Sequence, residues 1–216
     1  FRTGMVYSSI GNSAEILRYL WGRYAAENEQ AALFLQPTGE RLALEKQFDR
    51  YGVSLQVWIY YHILHKRQLT LHAWGCDNPA IPLYQRVLLR PLFPLLRFLI
   101  RKSFRITTEN YRKAVERIES CLSGVESRLA DGRRSLLGGC EINFSDISFA
   151  AISGVWLQPD EFGGGKAGSV KIPTQEIPPA MQADITRWSE KFPAATEFIA
   201  RLYREQRRMP VQACAG

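Results

Sequence analysis

Apolar side chains recur along this chain in two rhythms. Met5, Val6 and Tyr7 sit between Gly4 and the Ser8/Ser9 pair, a short run that predicts a strand, with Gly11 as the turn behind it. From Ser13 the rhythm changes. Ile16, Leu17, Leu20, Trp21 and Tyr24 fall at i, i+1, i+4, i+5 and i+8, one wide apolar stripe of a helix. "AAENEQAALFLQPTG" loses that pattern and carries Pro37 and Gly39, which marks it as a linker. Beyond about Glu40 the pattern is helical: 40–66, 82–103 with proline interruptions at Pro91 and Pro94, and 108–130, where Val115, Ile118, Leu122, Val125 and Leu129 keep helical spacing. No later segment sustains the alternation of a strand. The expected organisation is a strand–helix unit over 1–26, a linker over 27–38 and an all-helical domain over 39–216.

The stretch "LLGGCEINFSDISFAAISGVWL" predicts the best-defined helix start in the chain. Asn143 can cap the amide of Asp146, Asp146 can reach back to the amide of Asn143, and Ile142 can pack on Ile147: a capping box with a hydrophobic staple. The helix it opens is apolar nearly all round, with Phe144, Ile147, Phe149, Ala150, Ala151, Ile152 and Val155, so it is expected to run through the middle of a bundle. "QPDEFGGGKAGSVKIPTQEIPP" then reads as a loop rich in glycine and proline. It is no phosphate loop, because Ala167 follows Lys166 and no strand–loop–helix frames it. The closing helix, "WSEKFPAATEFIARLYREQR", is placed after a turn near Pro193.

Composition narrows the classes. With 46% hydrophobic and 23% charged residues, the 216-residue chain has the balance of an ordinary globular protein. Its net charge of +7 is concentrated: between Arg86 and Arg117 nine basic residues face two acids, Glu109 and Glu116, which leaves the remainder formally neutral. Four scattered cysteines (Cys76, Cys121, Cys140, Cys214) and three histidines (His62, His65, His72) form no metal-binding spacing and no disulfide framework, so no metal and a reducing compartment are expected. Phe1 is not an initiator methionine, and no secretory leader pattern precedes Asn12. "VLLRPLFPLLRFLI" is too short to span a bilayer. A cytoplasmic location is expected.

The order of these pieces resembles the cytosolic glutathione transferases: "NSAEILRYLWGRY" is similar to the family's glutathione-binding helix, "GGCEINFSDISFAA" to its capping-box helix, and "RWSEKFPAATEFIARL" to its closing helix. The resemblance covers roughly 5–24 and 38–205. It implies a mainly α fold, a glutathione-transferase C-terminal-like bundle preceded by the last strand and helix of a thioredoxin-like α/β domain, and a homodimer. It also implies that the Ser, Tyr or Cys that activates the thiol belongs to a part of that domain upstream of the matched segment. Ser13, with Asn12 beside it, is implied to hold the γ-glutamyl carboxylate of glutathione, the cosubstrate. The residues alone allow an anion at a helix start, but a plain N-cap is the commoner role of a serine there. Tyr7 reads as strand packing.

For an apolar electrophile the resemblance points to "YGVSLQVWIYYHIL", where Tyr51, Trp58, Tyr60 and Tyr61 (with His62) are amphipathic side chains suited to a half-open cleft. Bundle core is the competing reading for each. The basic segment 86–105 admits three: a helix on an anionic membrane surface, a nucleic-acid contact, or a bundle helix with its apolar side in the core and its arginines in solvent or at a substrate entrance. The last is preferred, so neither nucleic acid nor a membrane surface is an expected partner. The function implied is transfer of glutathione to a hydrophobic electrophile, with a non-catalytic binding module of the same fold as the alternative.

Overall fold

A computed structural model describes residues 2–3, 6–7, 13–139, 141–163 and 165–206. Two short strands, β1 (Arg2–Thr3) and β2 (Val6–Tyr7), pair antiparallel with Arg2 opposite Tyr7 and Thr3 opposite Val6. Helices follow: α1 (Ser13–Tyr24), α2 (Glu29–Leu35), α3 (Gly39–Ile63), α4 (Arg67–Ala73), α5 (Leu83–Ser103), α6 (Thr108–Leu129), α7 (Phe144–Leu157), α8 (Pro179–Lys191) and α9 (Pro193–Gln206). The chain is mainly α, with the long α3–α6 pair, α7 and α9 packed around one core.

The segment expected to be a linker contains a helix. Asn28 starts α2 by accepting from the Ala31 amide at 2.9 Å, and Arg41 of α3 donates to the carbonyls of Leu33 and Gln36 at its end, at 2.6 and 3.0 Å. A cation on the last carbonyls opposes the helix dipole's negative end, which stabilises this short helix against the next one. α1 meets α3 where Arg18 pairs with Glu45 at 2.7 Å, and no residue of α1 is buried.

Two further expectations are corrected. Pro91 and Pro94 do not interrupt α5. Pro94 has no amide hydrogen for the carbonyl of Arg90, and the Arg67 guanidinium of α4 takes that place at 2.9 Å, so the freed acceptor is satisfied. Nor is the apolar side of α5 bundle core: only Phe93 is buried, against Trp74 at 5.7 Å, while Leu88, Leu95 and Phe98 stand in solvent. α8 is a helix that the apolar pattern did not predict.

α7 runs through the middle as expected, its Phe149 between Phe48, Tyr51 and Phe198. Gly154 is required there, because a Cβ would collide with the Tyr203 hydroxyl of α9. The buried start of α7 has the predicted capping box, with the Asn143 amide donating to Asp146 Oδ2 at 2.8 Å and Asn143 Oδ1 accepting from the Ser145 amide at 2.9 Å. Asp146 also accepts from the Leu136 amide and the Ser135 hydroxyl, each at 2.8 Å, which fixes the preceding loop. Burial raises its carboxyl above the ordinary range, against the pull of these donors and of the Arg41 charge. Glu126 of α6 does similar work for α9, accepting from the Ala194 and Ala195 amides at 3.1 and 2.8 Å.

Asp146→Ala leaves two buried amides and a hydroxyl without an acceptor, so a loss on the order of 3–5 kcal/mol is expected in urea unfolding. A loss under about 1 kcal/mol would mean these donors find other partners.

Candidate functional site

The four aromatic residues expected to line one pocket are divided by the structure. Tyr51 and Trp58 point inward and are 2% and 0% exposed. Tyr51 hydrogen-bonds Ser153 Oγ at 3.0 Å and accepts from Trp156 Nε1 at 2.9 Å, and burial pushes its hydroxyl well above the usual tyrosine range. The recess it reaches, about 620 Å³ between α3 and α6, is lined by Lys46, Arg50 and Arg117 together with Ala43, Gln47, Ser120 and Cys121. Cys121 on the same wall has its thiol pushed up to about 12 by burial, which keeps it protonated and unreactive at neutral pH. Trp58 packs on Trp188 at 5.1 Å in a core that also holds Trp156. Trp58 is thus core rather than pocket lining, while Tyr51 is a core residue that borders that recess. Helical geometry gives the reason: residues 51, 55, 58 and 62 lie on the face that α3 turns to its neighbours.

Tyr60 and Tyr61 lie toward the outside, where the end of α3, α5 and the turn into α6 enclose a recess of about 220 Å³. Arg97 and Arg101 of α5, His65, and Thr107 and Thr108 provide its polar lining. Tyr61 stacks on Tyr111 of α6 at 4.1 Å and 16°, and Tyr60 packs against Phe104 at 5.9 Å. Chemically, this recess offers aromatic faces beside two guanidinium groups. That combination suits a small ligand with an apolar body and an anionic end.

Behind it stands a charged centre that local sequence patterns did not reveal. Asp184 of α8 is 4% exposed, and its Oδ2 accepts from Trp58 Nε1 and from the Tyr111 hydroxyl, both at 2.8 Å. Its Oδ1 pairs with Arg187 at 2.8 Å, and His62 Nε2 stands 3.5 Å from Oδ2. Burial alone would raise this carboxyl, but the His62, Trp58 and Tyr111 contacts and the Arg187 charge outweigh it and hold it at about 2. Tyr111 moves the opposite way, because burial and the neighbouring Asp184 charge both favour its neutral hydroxyl. At neutral pH the pair is a fixed donor–acceptor bond that braces the stacked Tyr61 from behind. Three of the partners are 122, 126 and 73 positions from Asp184 in sequence, and only Arg187 is on its own helix.

Ser13 is the first residue of α1 and is exposed, while Asn12 lies outside the described residues. The Tyr60–Tyr61 recess contains no residue of α1. α1 meets α3 through Glu45, and Tyr60 is fifteen residues further along that helix, roughly 23 Å. The structure thus brings Tyr60 and Tyr61 together but does not join them to Ser13. Among the described residues, no group of three or more His, Cys, Asp or Glu side chains is placed to hold a metal ion, and no helix is long and apolar enough to cross a membrane. Comparison with known proteins finds no matching family model, no matching curated protein and no matching solved structure.

The Asp184 carboxyl lies below its unfolded value of roughly 4, so the unfolded chain takes up the proton first and stability falls with falling pH. Its contribution, about 2 kcal/mol, is fully present above about pH 4 and is lost as the pH drops toward 2. Asp146 titrates in the opposite sense, so the quantity to measure is the pH dependence of unfolding free energy for wild type minus Asp184→Asn. A flat difference between pH 2 and 5 on the order of experimental error would show that Asp184 is not held in this way.

Proposed function

We propose that the protein is glutathione-transferase-like: it holds glutathione by the γ-glutamyl carboxylate at Ser13 and presents the thiolate to a hydrophobic electrophile. The observation that carries this reading is the exposed Ser13 at the head of a 12-residue helix, ahead of a helical bundle whose central α7 starts in a buried capping box. The exposed Ser13 hydroxyl and the positive end of the α1 dipole favour an anion. In this reading the β2–α1 unit is the end of a thioredoxin-like domain, and the protein acts in the cytoplasm as a homodimer. The sulfur forms a bond to the electrophilic carbon, whose leaving group departs with its electron pair. No residue of this chain is assigned to thiol activation.

A second reading has its own support. Tyr51 and Trp58 are consumed by the core, and the Tyr60–Tyr61 recess is built without α1. Those features favour a non-catalytic module that binds glutathione and, separately, an apolar anion.

Retention of the 216-residue chain on immobilised glutathione, with turnover of a generic aryl halide, tests the two together. Ser13→Ala is expected to weaken retention about tenfold or more, the effect of losing a hydrogen bond to a charged group. Retention with no turnover selects the binding module. Retention that Ser13→Ala leaves unchanged removes the site from both readings.

A further inference from the structure

α5 has the reverse of the usual arrangement for a helix at the edge of a bundle. Eight of the twelve large hydrophobic side chains that stand exposed among the described residues belong to this one helix. Tyr84, Leu88, Leu95 and Leu99, with Val87 and Phe98 beside them, are spaced to form one continuous outward face. The opposite stripe, Leu89, Phe93, Leu96 and Ile100, is the more buried one. A single exposed leucine needs no explanation, but a contiguous apolar face along a 21-residue helix marks a contact surface.

Charge identifies what the contact is. Arg86, Arg90, Arg97 and Arg101 are separated by four, seven and four residues, so they form one line along the flank between the outward face and the body, and Lys102 and Arg105 close the C-terminal end. From residue 78 to residue 108 there is no aspartate or glutamate. Among the described residues only Arg90 of these six has an acidic partner, Asp77 at 3.6 Å. We propose that α5 is a membrane-surface helix, which seats its outward apolar face at the headgroup–acyl boundary of an anionic bilayer while the flanking arginines reach lipid phosphates. The helix, roughly 31 Å long, lies along the surface.

The same features disfavour the alternatives. A nucleic acid would require the cations on the outward face, where the side chains are apolar. A second copy of the chain packed face to face and antiparallel would set two arginine lines side by side, and in either orientation α5 offers no acid to pair with them. The body holds α5 from behind through Phe93 on Trp74 and through the Arg67 bond to its backbone, so the helix is presented without unfolding the bundle.

Vesicle co-sedimentation tests this with the 216-residue chain, comparing phosphatidylglycerol-rich vesicles with pure phosphatidylcholine at about 50 mM and about 0.5 M salt. Binding is expected to the anionic vesicles at low salt, and to fall at least about tenfold on neutral lipid or in high salt. Arg97→Gln with Arg101→Gln should lower the partition constant about 30-fold, near fivefold for each charge. Leu95→Glu with Phe98→Glu should abolish binding while the unfolding midpoint stays unchanged, since both side chains are exposed. Absence of low-salt binding, or equal and salt-insensitive binding to both lipids, overturns the proposal. So does sedimentation velocity showing a dimer that the Leu95→Glu/Phe98→Glu variant dissociates while the wild-type chain ignores vesicles. Binding to an acidic polypeptide such as polyglutamate, with none to vesicles, overturns it in favour of a protein partner.

Discussion

A helix that begins inside a protein has backbone amides that water cannot reach, and the bundle is organised around answering that need for α7. The Asp146 carboxylate supplies the acceptor for two main-chain amides and one hydroxyl, and Asn143 serves a third amide. Because one of those amides belongs to Leu136, the same group that starts the helix also closes the loop leading into it. α7 can then be apolar nearly all round, which lets α3, α9 and the tryptophan cluster pack on it from different sides. Arg41 extends the arrangement outward, lying over the Phe144 ring at 5.9 Å while it closes α2. A charge at one helix start therefore reaches, in two steps, the only helix between α1 and the bundle.

What was legible in the sequence was what is settled within a few residues. The Asn143–Asp146 box is a four-residue motif, and α3 and α6 declare themselves through apolar residues at helical spacing. α8 escaped because its inward face is Met181, Asp184, Ile185 and Trp188, and a buried carboxylate reads as a solvent position in any apolar pattern. Its donors, Trp58 and Tyr111, and the neighbouring His62 come from α3 and α6, so no local rule joins them. The prolines of α5 misled for a related reason. Loss of an amide ends a helix only when the freed carbonyl has no other donor, and the donor here is a side chain on a different helix. For the aromatic run 51–61, composition identified the residue type suited to a pocket, but only helix phase decides which of them face the core.

Charge and apolar surface are arranged differently at the two ends of the bundle. Near the start of α3 the outward side is polar, and Glu45 pairs with Arg18 of α1. At its far end the Tyr60–Tyr61 recess, the arginines of α5 and the outward apolar face of that helix are contiguous, and Arg97 and Arg101 belong to both the recess and the flank. A ligand in the recess and a lipid surface against α5 would draw on the same two guanidinium groups. Binding at one would change the electrostatic field felt at the other.

The bond from Arg67 to the carbonyl of Arg90 ties two positions together through heredity as well as through space. The acceptor is free only because residue 94 is a proline, and it is filled only because residue 67 carries a long donor. A descendant that replaced the proline would close the helix's own hydrogen bond and leave the arginine at 67 without that use. A descendant that lost the arginine first would leave that exposed carbonyl to water and uncover the Phe93 ring over which the guanidinium lies. The two sites are therefore expected to drift as a pair, the arginine being held less tightly once the proline has gone.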